Sequence, residues 1–216
     1  MSAPDVERDA VPAFLLASRT PERWADAVAT DAAALLCDHA HCELKAAASA
    51  MTLMRRHGER LDLCERLGRL LREETEHAQR VLRELAARGL GLAADAPNPY
   101  MDGLISGAGR PRRREDGLLD SLLVAALIEM RSHERFERLA GCAQLADLHP
   151  LYSSLGEAEA RHGAIFLELA AGCAPAARVA TRFAELAVIE AAALERAPFA
   201  HRIHSGSPPA RTPART

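Results

Sequence analysis

Aromatic residues are scarce, at 4% of 216 positions. Ala, Leu, Glu and Arg dominate instead, and these favour helix over strand, so the class is all-α. The five cysteines (Cys37, Cys42, Cys64, Cys142, Cys173) are odd in number and include no C-x-x-C pair. That excludes a disulfide frame, a zinc knuckle and a rubredoxin-type iron centre, and leaves reduced, mostly buried thiols. No run approaches the roughly 20 apolar residues that cross a bilayer. The acidic start MSAPDVERDAVPAFLL has neither the basic residues nor the long apolar stretch of a secretion signal. A soluble, cytoplasmic protein is expected. A glycine-rich nucleotide fingerprint is also missing, so the chain brings no flavin or nicotinamide of its own. Lysine occurs once, at Lys45, and arginine supplies the other positive side chains. A GC-rich genome produces that bias by itself, so arginine abundance carries no functional weight. The net charge of -3 gives no general attraction to nucleic acid or membrane, and an anionic partner has to be met by a local patch.

What is present is helical periodicity. With 49% hydrophobic and 26% charged residues, the chain can bury a core as one domain over residues 1–200, with residues 201–216 as an irregular tail. Trp24 anchors a short helix after Pro21. Four long stretches then repeat apolar residues at i, i+3 and i+4. They cover residues 31–57, 61–88, 117–140 and 150–171, and each is followed by a glycine placed to stop it (Gly58, Gly89, Gly141, Gly172). A fifth helix, 175–196, covers the outside of the bundle and ends before Pro198. The one long connection, RGLGLAADAPNPYMDGLISGAGRPRRREDG, is rich in Gly and Pro and reads as a crossover joining two antiparallel hairpins.

Two Glu-x-x-His pairs stand on these stripes, Glu74 with His77 and Glu159 with His162. Glu74 follows a lone helical Glu43 by 31 residues, and Glu159 follows Glu129 by 30, so one helix-hairpin plan is used twice. Residues three apart share a helix face. The set therefore directs four carboxylates and two imidazoles at one interior spot, the ligand plan of a two-metal site in a four-helix bundle. About one Glu-x-x-His is expected by chance in a chain of this composition, so the weight lies in the context, not in the motif. Were these ordinary surface residues of amphipathic helices, they would need no partner. On buried stripes, four carboxylates would repel one another and lose their hydration unless two divalent cations balanced them. Iron fits the pattern, with manganese second. Alanines 46, 47 and 50 around Glu43 leave room for a cofactor.

Three further features are weaker. His39 and His133 lie one turn from Glu43 and Glu129 and could orient ligands, although a satisfied core or surface histidine is the commoner case. Arg110, Arg112, Arg113 and Arg114 form the densest basic cluster, able to grip phosphates or simply to be solvated on a loop. Tyr100 on the same connection could stack on a base or pack the loop.

The words DHAHCELKAA (38–47), REETEH (72–77), LIEMRSHERF (127–136), EARH (159–162) and HSG (204–206) resemble those of the tRNA hydroxylases that act on 2-methylthio-isopentenyl-adenosine next to the anticodon. The chain departs from that family at His133, where Cys is usual, and at Gly163, where EARHF is usual. The resemblance implies a ferritin-like four-helix bundle with Glu43, Glu74, His77, Glu129, Glu159 and His162 as di-iron ligands, Glu74 and Glu159 bridging. It further implies a tRNA substrate met by the four arginines, dioxygen as co-substrate, and electrons from a separate reductase or ferredoxin. A ferritin- or rubrerythrin-like protein that oxidises iron or removes peroxide shares the ligand plan, and a metal-free helical binding module is the third reading.

Overall fold

The structure, a computed structural model, describes residues 14–109 and 114–210, and for Arg114 and Glu115 the backbone only. In chain order the helices are α1 (Trp24–Ala29), α2 (Ala32–Arg56), α3 (Leu61–Ala87), α4 (Pro99–Ala108), α5 (Arg114–Ala140), α6 (His149–Ala171) and α7 (Ala176–Arg196), with a 3-10 segment, Ala143–Leu148, leading into α6. No strand occurs among the described residues.

Local chemistry sets the ends. Asp31 caps α2 by accepting the Ala34 N–H at 2.9 Å. Gly89, at φ 68°, closes α3: its N–H donates to the Ala86 carbonyl and that of Leu90 to Leu85, at 3.0 and 2.9 Å. The short α2–α3 and α5–α6 links fold each pair back on itself, and these two hairpins are the most extensive helix pairings. α3 meets α6 across the bundle, while α7 lies outside against α5 and α4.

The bundle interior is divided along its length. Trp24, Leu35, Leu36, Val81, Leu85, Phe136 and Tyr152 belong to one apolar core. Leu53, Leu67, Leu70, Leu122, Phe166 and Leu169 belong to a second. Each long helix runs from one core to the other and carries its Glu or Glu-x-x-His residues between them, as α3 does from Leu70 through Glu74 and His77 to Val81. A polar layer is thus sealed at both ends by hydrocarbon.

Two expectations change. The crossover is not all loop, because α4 forms within it, capped by Asn98, whose Oδ1 accepts from the Tyr100 and Met101 N–H groups, and started by Pro99. Its glycines serve close packing: a Cβ on Gly107 would lie 2.5 Å from Ile189 Cγ2 and one on Gly103 3.2 Å from Ala193 Cβ, both on α7. The thiols are free, but only Cys142 is buried and the other four are half-buried.

Residues 201–210 have no helix, yet Ile203, His204, Ser205 and Gly206 are buried. The Ile203 N–H donates to Asp38 at 2.8 Å. The buried Arg135 guanidinium donates to the carbonyls of Ile203 and Ser205. Gly206 is the only residue type that fits, since a Cβ there would lie 1.8 Å from the Ala197 carbonyl oxygen.

Candidate metal centre

All six residues singled out on the helix stripes are buried and gather in the polar layer. One donor atom from each of Glu74, His77, Glu159 and His162 lies within 4.8 Å of the other three. His77 Nδ1 stands 3.5 Å from Glu74, 3.7 Å from Glu43 and 3.9 Å from Glu159. His162 Nδ1 stands 2.9 Å from Glu74 and 3.9 Å from Glu159. Glu129 stands beside Glu159, near enough for each carboxylate to shift the other's proton affinity. The two imidazoles, one from each hairpin, stack with ring centroids 5.5 Å apart.

The cluster is left unsatisfied by protein alone. Both oxygens of Glu74, Glu159 Oε1, and the Nδ1 atoms of His77 and His162 are buried without a hydrogen-bond partner. The 2.9 Å approach of His162 Nδ1 to Glu74 lacks hydrogen-bonding angles, so proximity there is not satisfaction. Buried polar atoms without partners are rare in native proteins, and five around one point call for a shared electrophile. Oxygen and imidazole donors with no sulfur suit iron, manganese or zinc.

Electrostatics point the same way. Burial pushes Glu159 well above the usual carboxylate range, and the neighbouring Glu129 adds to it. Burial also pushes Glu129 up to about 7, although the adjacent Glu159 acts in the opposite direction. Burial would raise Glu43 as well, but the His39 hydrogen bond and the His77 imidazole beside it override this and hold the group well below its ordinary value. Burial pulls the two imidazoles down. Glu43 and Glu74 overcome this for His77, and Glu74 for His162, and each rises to about 9. Without a cation, protons balance this set, and cations would displace them.

Around the cluster the two candidate orienting histidines part ways. His39 is wholly buried, stacks on Tyr152 and holds Glu43 Oε1 at 2.7 Å. His133 is half-exposed and bonds the Gly156 carbonyl at 2.8 Å, so it is an ordinary packed histidine. Sequence reasoning missed Glu73, whose carboxylate accepts from His162 Nε2 at 3.1 Å and leaves Nδ1 turned toward the cluster. Arg110, Arg112 and Arg113 lie outside the described residues, as does the side chain of Arg114 at the start of α5. Tyr100 is buried, packs against α7 and is not available to stack on a base.

A cavity of about 850 Å³ opens between α2 and α5 under α4 and reaches Glu129. Ala46, Ala50, Ala125 and Phe166 give it an apolar wall, and Lys45 and Asp95, paired at 2.9 Å, stand where it meets solvent.

An all-helical bundle whose Glu and His side chains converge on buried, unpartnered donor atoms is of the ferritin-like class that can hold metal. Within that class the chain belongs to the tRNA-(MS[2]IO[6]A)-hydroxylase (MiaE) family, whose model matches residues 9–205. It is 36% identical over 198 residues to the tRNA 2-(methylsulfanyl)-N(6)-isopentenyladenosine(37) hydroxylase of Pseudomonas putida, covering 88% of this chain and 92% of that one. The Salmonella typhimurium protein of the same name is 32% identical over 149 residues, which span 68% of this chain and 53% of the relative. Among solved structures, Protein 43 with aldehyde deformylating oxygenase activity from Synechococcus superposes with a TM-score of 0.84 at 37% identity, covering 89% of this chain and 96% of that one. No helix among the described residues is long and apolar enough to cross a membrane.

Proposed function

We propose that this protein hydroxylates the isopentenyl group of 2-methylthio-isopentenyladenosine in cytoplasmic tRNA, beside the anticodon, with two iron ions held by Glu43, Glu74, His77, Glu129, Glu159 and His162. The observation that carries the reading is the convergence of buried, unpartnered Glu and His atoms in a chain of this family. Manganese suits the same donors and is the second choice. Iron, when bound, supplies the oxidising power to insert one atom of dioxygen into an unactivated C–H bond. Electrons come from an external carrier, because the sequence has no flavin or nicotinamide fingerprint.

The chain's own residues do the rest. His39 fixes the Glu43 carboxylate and Glu73 fixes the His162 ring, so both donors are held before any ion arrives. The apolar wall at Ala46, Ala50 and Phe166 accepts a branched hydrocarbon and excludes water. Arg110, Arg112, Arg113 and Arg114 are assigned to the RNA backbone by charge density in the sequence alone.

The test is mass spectrometry of nucleosides from tRNA incubated with iron-loaded protein, reductant and dioxygen. The product gains one oxygen, and Glu74→Ala or His162→Ala abolishes it. Full activity in either variant sinks the metal assignment. Replacing the four arginines weakens tRNA binding and flattens its salt dependence.

The solved relative's aldehyde deformylating oxygenase activity and the apolar cavity support a second reading, an oxygenase acting on an apolar aldehyde. An aldehyde arm of the same assay separates them. Formate release without oxidation of RNA overturns the first.

A further inference from the structure

His204 is a buried side chain that the metal cluster does not use, and it lines the cavity together with Cys42. Its ring is held on three sides. One face stacks on Tyr100, with centroids 5.1 Å apart and planes 8° from parallel. Tyr100 is in turn fixed by its hydroxyl, which donates to the buried Glu190 at 3.1 Å. The Nε2 edge is turned into α5, 3.3 Å from Ser132 Oγ. The Ser132 hydroxyl can accept, and with the ring proton on Nε2 directed at it the opposite nitrogen carries the free lone pair. Nδ1 is left as a bare acceptor facing Cys42 Sγ at 3.9 Å, a weak contact for a buried lone pair. Burial, with Arg135 and Arg131 nearby, pushes the imidazole down to about 3, so the ring stays neutral.

The position matters as much as the chemistry. Cys42 immediately precedes Glu43 on α2, and Ser132 follows Glu129 by three residues on α5. His204 therefore lies one helical turn from Glu129, about 5 Å along the axis. In an N6-isopentenyl adenosine the exocyclic nitrogen carries one hydrogen and is four bonds from a terminal methyl, roughly 5 Å at about 1.5 Å per bond.

Resting on the hydroxylase reading above, we infer that His204 Nδ1 accepts the N6–H of the substrate base and so fixes how far the isopentenyl chain reaches toward Glu129. It is a specificity residue for an N–H-linked side chain. The apolar wall alone discriminates poorly among chains of equal size, whereas an acceptor placed for one donor rejects an analogue that lacks it. Cys42 gives up only a weak contact when the base arrives.

The experiment compares two anticodon stem-loop RNAs, one with N6-isopentenyladenine and one with the ether analogue, oxygen replacing N–H without added bulk. Binding to the metal-free protein is read by fluorescence anisotropy, and kcat/KM by product mass with the iron-loaded protein. The wild type should bind and turn over the ether at least about tenfold less well. His204→Leu should reduce that discrimination to below about twofold, while His204→Asn, which keeps an acceptor at the δ position, preserves it. The wild-type comparison depends on no variant folding. Equal treatment of the two RNAs by the wild type, or unchanged discrimination in His204→Leu, overturns the inference. Preferential binding of the N–H RNA without any oxygenated product upholds the contact and removes the hydroxylase reading. Oxidation without preference does the reverse.

Discussion

Glu73 reaches from α3 to the outward nitrogen of His162 on α6 while its own side chain stays 42% exposed. It fixes the ring that presents Nδ1 to the cluster, and nothing else bonds that Nε2 atom among the described residues. Glu73→Ala is expected to weaken metal binding about 10–100-fold, with Glu73→Gln recovering most of the loss because an acceptor remains. Competition against a chelator measures this, and unchanged affinity in Glu73→Ala would remove the residue from the site. Glu73 was invisible to periodicity because it sits about 100° around the helix from Glu74, off the inward stripe. His39 and His133 show the same limit in another way. Each lies four residues from a glutamate of the cluster, and only packing decides that one is buried on Glu43 and the other half-exposed on Gly156.

At the scale of elements, α4 is the part of the fold that composition disguised. A stretch with Pro97, Pro99, Gly103 and Gly107 reads as loop, because glycine costs roughly 1 kcal/mol within a helix. Here the missing Cβ atoms let α4 settle onto α7, and that contact outweighs the local cost. Gly107→Ala should destabilise the protein by about 1–3 kcal/mol through the clash with Ile189. Urea denaturation reads the loss, and Ile189→Ala in the same background should return part of it. A Gly107→Ala protein as stable as the wild type would mean that α4 does not need this close approach. The 201–206 segment is the counterpart, a stretch without helix that Arg135, Asp38 and the tight seat of Gly206 bury against the bundle.

For the whole molecule, metal content and pH are linked. In the metal-free protein Glu129 titrates near 7 instead of 4.5, and His77 and His162 near 9 instead of 6.5. A pKa raised by folding means that the folded state binds the extra proton, so stability is full below the unfolded value and falls as pH rises through the folded one. The loss runs from 4.5 to about 7 for Glu129 and from 6.5 to about 9 for the imidazoles. Cations bound on the proposed ligands would replace those protons, so the loaded protein is expected to escape the decline and to bind metal more tightly as pH rises. The difference in Tm between iron-loaded and metal-free protein is expected to widen from about pH 5 to about pH 9. His204, held down to about 3, costs stability as pH falls below 6.5, but does so in both forms and cancels in the difference. A constant or shrinking gap, followed by thermal melts across that range, would contradict the charge balance described for the cluster.

The amino-acid sequence alone determined the four long helices, to within a few residues at their ends, and the inward placement of Glu43, Glu74, His77, Glu129, Glu159 and His162. Both follow from helix periodicity, which is local and is written into residues three and four apart. Tertiary structure alone decided the α4 roof, the Glu73–His162 bond, the outcome at His39 and His133, and the placing of His204 beside Cys42. These depend on pairs separated by 89 residues for Glu73 and His162 and by 162 for Cys42 and His204. No local period reports such distances, because they arise when whole helices bury their faces against one another.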